Sequence, residues 1–92
     1  MTLEVPRFPA GVLRFGDGVV EILGGAEGTR VAVRDLEGIE VGPVKGGKVK
    51  VKARHRAGIG TNTDSFLVEP SQRDAVLALV EAAHAARDGP PT

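Results

Sequence analysis

A chain of 92 residues, 41% hydrophobic and 26% charged, has room for one domain and enough apolar content to fold it. The lack of cysteine excludes disulfides, thiolate metal ligands and a cysteine nucleophile, and a formal net charge of zero excludes a global pull toward nucleic acid or membrane. No apolar run reaches the length of a membrane span, and the opening "MTLEVPRFPA" has neither the apolar core nor the basic leader of an export signal. A cytoplasmic location is therefore expected, with a position peripheral to the membrane as the alternative.

In chain order, "TLEV" can form a first strand, which Pro6 and Pro9 confine to a sheet edge because proline cannot donate to a ladder. "GVLRF" and "VVEIL" flank "GDG", a segment that readily supplies positive φ, and so read as a hairpin with Leu13, Phe15, Val20 and Ile22 inward. "GGAEGT" is expected as a loop, "RVAVR" as a short strand with Val31 and Val33 inward, and "DLEG" as a turn. A strand then starts at "IEV" with Ile39 and Val41 inward, and "KGG" separates it from the basic stretch "KVKVKARHR". "GIGTNT" is expected as a loop and "SFLVE" as the last strand, with Phe66 and Val68 inward. After Pro70 the period changes: Ser71 is placed to cap a helix running to Arg87, with Asp74 three residues on and Val76, Leu79, Val80 and Ala83 on one stripe. The expectation is a single domain spanning 1–92, ordered over about 10–87, with a frayed tail at 88–92.

The hairpin before the basic stretch poses a parity problem. If Gly46 and Gly47 form a clean two-residue turn, Val41 pairs with Lys52 and Glu40 with Ala53, which mixes core and solvent faces. One extra residue restores order, and a bulge near Gly42 and Pro43 is the device expected, placing Glu40 across from Lys52 or Arg54.

The inventory for catalysis is thin: two histidines, two serines, and no tyrosine or tryptophan. His55 and His84 have no spacing relation that would build a metal site, and each is better read as a satisfied or exposed side chain. "GIGTNTD" lacks the lysine-serine/threonine ending of a phosphate loop and precedes a strand, and Asp17 alone cannot build a calcium shell. No cofactor, no metal and no enzymatic activity are expected.

Charge, though balanced in sum, is segregated. Residues 45–56 hold six Lys or Arg and no acid, including all four lysines of the chain. Alternation sets Lys48, Lys50, Lys52, Arg54 and Arg56 on one face of a strand, with Val49, Val51, Ala53 and His55 on the other. With Lys45, these six basic residues form the candidate anion or partner surface. The bland readings are a solvated face, since neighbours about 7 Å apart repel by only about 0.6 kcal/mol in water, or an edge strand guarded by lysine against aggregation. Nucleic acid is disfavoured, because Phe15 and Phe66 are assigned to the core and no aromatic interleaves with the lysines to stack bases.

The strand meander, "GVLRFGDGVVEI", "VRDLEGIEVGPVKGGKVKVKAR", the final "FLVEP" and one closing amphipathic helix together resemble the small bacterial pleckstrin-homology-like (PH-like) domains, actinobacterial members in particular, over roughly residues 10–87. The resemblance implies a mainly β fold: sheets of four and three antiparallel strands in a partly open barrel, closed at one end by the helix. It also implies a noncatalytic interaction or assembly module. The basic headgroup motif of lipid-binding members lies in the first hairpin, where this chain has "RFGDGVVE" with Arg14 alone, so no headgroup residue carries over. Two functions stay in front. One is interaction or assembly with a protein partner or a second copy; the alternative is peripheral binding to an anionic surface, a membrane or a polyanion, through Lys45 to Arg56.

Overall fold

The computed structural model describes residues 2–24 and 27–89. Among these residues, seven strands form two antiparallel sheets, which do not join into a closed barrel, and one α-helix follows them. The first sheet runs β1 (Leu3–Pro6), β2 (Val12–Gly16), β3 (Val19–Gly24), β4 (Glu27–Ala32) in spatial order. The second runs β5 (Leu36–Lys45), β6 (Lys48–Ala57), β7 (Gly60–Val68), and the helix α1 spans Arg73–Asp88.

Local chemistry explains the hairpins. Asp17 and Gly18 both adopt positive φ (53° and 74°) between the paired Gly16 and Val19, the two-residue turn whose twist matches its flanking strands. Gly46 and Gly47 repeat this at φ 60° and 73° between Lys45 and Lys48. The parity problem of that second hairpin is resolved where expected: the register shifts between Val41 and Val44, so Gly42 and Pro43 together face Lys50, and Glu40 falls opposite Lys52. A second shift, between Leu36 and Gly38, has no counterpart in the sequence reading.

β1 is an edge strand ending at Pro6, as the prolines require, and it carries order well before residue 10, with Val5 buried. Other boundaries differ from expectation. β4 already begins at Glu27, pairing Glu27–Thr29 with β3, and Gly24 belongs to β3, so these four residues of the expected "GGAEGT" loop are strand; Gly25 and Ala26 lie outside the described residues. The turn expected at "DLEG" comes earlier, as a 3₁₀ turn at Val33–Asp35, and Leu36 enters β5. "GIGTNT" is mostly strand: only Gly58 and Ile59 turn, and Gly60–Thr63 pair with β6. Ser71 lies within a 3₁₀ turn, Pro70–Gln72, and makes no capping bond; α1 starts after it. Asp88 closes α1 rather than opening a tail, Gly89 caps it at φ 75°, and Pro90–Thr92 lie outside the described residues.

The core lies between the sheets under α1. Leu13, Val20 and Ile22 face Val49, Val51, Phe66 and Val68, and α1 adds Val76, Leu79, Val80 and Ala83, all buried; Phe15, Val33 and Val41 pack half-buried at its margin. Two links hold the second sheet's edges. Phe8 donates its backbone N–H to Leu67 O at 2.7 Å, tying the segment after β1 to β7. On the other side α1 reaches the free edge of β5 three times: Arg73 Nε donates to Gly42 O (3.0 Å), His84 Nε2 accepts from Ile39 N–H (3.1 Å), and Arg87 donates to Glu37 O (2.7 Å). Backbone groups that would invite another strand are thus occupied by side chains.

The His84 bond requires an unprotonated Nε2. Burial, then the nearby Arg87, lowers the His84 pKa, with Asp88 acting in the opposite sense. A lowered folded-state value means that the unfolded chain binds the proton more readily. The stabilisation is therefore complete above the unfolded value of about 6.5 and is lost as pH falls through the interval below it. Melting temperature should decline from pH 7.5 to pH 5 on this account, and His84→Gln, which keeps an acceptor but does not titrate, should flatten that part of the slope.

Candidate functional site

β6 alternates as the sequence requires. Val49, Val51, Ala53 and His55 are buried, while Lys50, Lys52, Arg54 and Arg56 are exposed and Lys48 is half-buried. Its position overturns one reading. β6 is the central strand of its sheet, hydrogen-bonded to β5 and β7 along its length, so its lysines cannot be guards of an exposed edge.

The two outer sheet faces treat charge differently. On the first sheet, Glu4, Arg14, Glu21 and Arg30 stand in register across all four strands, linked at 3.1, 3.6 and 3.4 Å into a row of alternating sign. On the second, Lys50, Lys52, Arg54 and Arg56 face Leu67, Ser65, Thr63 and Thr61 of β7. Across on β5 the single acid in register is Glu40, and Lys45 sits directly opposite Lys48, a like-charge pairing that costs stability.

All four lysines wall one groove of about 470 Å³ on this outer face. Val41, Gly42, Pro43 and Leu67 supply its apolar lining and Glu40 its one acid. The bulge shapes the recess, since Gly42 brings no side chain, Pro43 no N–H, and Arg73 of α1 holds Gly42 O from behind. Lys48 is partly engaged: its Nζ lies 4.4 Å over the Phe8 ring and 3.7 Å from Glu69. Lys45, Lys50, Lys52 and Arg54 make no ion pair within 4 Å among the described residues.

The six candidate residues are therefore divided by their surroundings. Lys45, Lys48, Lys50 and Lys52 converge; Arg54, with Lys52, borders a smaller hollow of about 290 Å³ beside Glu37 and His84. Arg56 is diverted, donating to Arg34 O and lying 3.6 Å from Asp35. The apolar lining was missed by sequence reasoning, although a signal existed: with Phe66 and Val68 inward, Leu67 must point out, an apolar residue where a polar one is normal.

Both histidines hold structure. His55 Nε2 lies 2.9 Å from Asp64 Oδ2, and His84 serves β5. Among the described residues no three His, Cys, Asp or Glu side chains gather into a metal-ligating group, and no helix is long and apolar enough to cross a membrane. Comparison with protein-family models gives no match, nor does comparison with curated proteins.

Proposed function

We propose that this chain is a noncatalytic interaction module that receives an acidic protein partner in the lysine groove on the outer face of β5–β7. The carrying observation is the convergence of all four lysines, three of them on the central strand β6, on one apolar-lined recess, with a like-charge pair, Lys45 and Lys48, at its end. Edge protection does not account for Lys48, Lys50 and Lys52 on the central strand, nor does in-register neutralisation. A partner bearing carboxylates around an apolar contact would relieve the repulsion and cover Leu67 and Pro43. Four then three antiparallel strands with a closing helix support a PH-like partly open barrel, a fold used elsewhere as a binding platform.

An oligoglutamate peptide is the simplest probe. Calorimetric titration at low salt should detect binding, physiological salt should weaken it, and Lys48→Gln/Lys50→Gln/Lys52→Gln should lose about tenfold or more in affinity while melting near the parent temperature. Equal binding by parent and triple variant would refute the reading.

A further inference from the structure

We infer that the acidic partner of the groove is the outer face of α1 on a second copy of this chain, an inference that rests on reading the groove as an acidic-partner site. The two basic residues of α1, Arg73 and Arg87, both turn onto β5 carbonyls, leaving Asp74 and Glu81 exposed on the opposite side. These lie seven residues apart on one face, about 10 Å along the axis. Leu77, one of the chain's large exposed apolar residues, lies between them with exposed Ala78, so the stripe reads acid, apolar, acid.

The groove presents the complement. Lys48 and Lys52 stand about 13 Å apart along β6, and Leu67, another exposed apolar residue, faces Lys50 between them. Seating Leu77 against Leu67 and Pro43 brings Asp74 and Glu81 to the lysines at either end. Both sets of charges lack ion-pair partners within the monomer: Asp74 and Glu81 on one side, Lys45, Lys50 and Lys52 on the other, among the described residues. A net charge of zero leaves no long-range repulsion between copies, while the concentration of six basic residues in 45–56 favours their alignment.

Helix and groove lie on neighbouring elements. Arg73, next to Asp74, holds Gly42 O in the groove lining, so a two-fold pair can place each stripe in the other copy's groove. Such an interface is small and charged, which predicts weak, salt-sensitive association rather than an obligate dimer.

Sedimentation of the full chain, from micromolar to near-millimolar concentration at low salt, should show reversible self-association that physiological salt weakens. Two variants then test the pairing: Lys48→Glu/Lys50→Glu/Lys52→Glu, and Asp74→Lys/Glu81→Lys. Each alone brings like charges together and should weaken association about tenfold or more; mixed in equal amounts, they are complementary at both contacts and should associate again. Thermal melts establish folding, and the milder pair Lys50→Glu and Glu81→Lys repeats the test if the larger changes unfold the chain. A parent that stays monomeric, or a mixture that fails to recover, overturns the inference. Monomeric parent with intact oligoglutamate binding leaves the acidic-partner reading standing and removes only the second copy; loss of both removes both. Binding of the monomeric parent to anionic vesicles, abolished by the groove variant, would assign the groove to a lipid surface instead.

Discussion

Leu79→Asp is expected to be among the most destabilising changes in the helix, removing a large part of the chain's stability. Leu79 is fully buried at the centre of the α1 stripe, between Val76, Val80 and Ala83, where the helix covers the space between the sheets. Replacing it removes the transfer energy of a large side chain and places a carboxylate where no cation can reach it. The combined cost is on the order of 5 kcal/mol, against a total stability of about 5–14 kcal/mol for a domain of this length. Leu77→Asp, two residues away but exposed, is the control, and it should change monomer stability by less than about 1 kcal/mol. Chemical denaturation of the two variants would decide the matter. Similar midpoints would mean that α1 does not close the core.

A second large loss is expected from Gly11→Ala, for a different reason. Gly11 sits at φ 105° where the chain enters β2, and a Cβ there would lie 2.0 Å from Leu23 O and 2.7 Å from Gly24 Cα. Both obstacles are backbone, so no side chain can swing away. Relieving the overlap requires β2 and β3 to separate at that end, and the same residue accepts the Arg7 N–H at 3.0 Å just before Phe8 bonds to β7. The change should therefore cost about 3 kcal/mol, lowering the melting temperature by about 15 °C. Gly46→Ala provides the comparison: φ is 60° with open space around it, so only the left-handed conformation is penalised, by about 1 kcal/mol. Equal melting shifts in the two variants would contradict the close approach at Gly11.

Several features could be read from the sequence because a local rule determined them. Lys-Val alternation set both faces of β6, the spacing of Val76, Leu79, Val80 and Ala83 set the buried stripe of α1, and parity called for a bulge that the Gly42–Pro43 pair was suited to form. Strand ends were less legible. Gly60–Thr63 and Glu27–Thr29 have the composition of loops and become strand because an adjacent, strongly patterned strand offers them a ladder. The capping expected of Ser71 failed for a related reason: Pro70 opens a 3₁₀ turn that absorbs it. Strand order is a tertiary property, so the central position of β6, and with it the end of the edge-guard reading, emerged only from the fold. The basic residues were visible as a run, but their division was not. Four lysines converge around a recess made by the bulge and Leu67, while Arg56 is drawn to the corner between the sheets by Asp35 and the Arg34 carbonyl.

The central claim is that this recess is a binding surface for an acidic partner, and a residue-resolved titration tests it most directly. With oligoglutamate added to isotopically labelled protein at low salt, backbone amide shifts should change along 42–52 and at Leu67. The row Glu4–Arg14–Glu21–Arg30 on the other sheet should stay still, and the changes should shrink as salt is raised. Shifts that centre on the first hairpin, or an unperturbed spectrum at saturating peptide, would contradict the account.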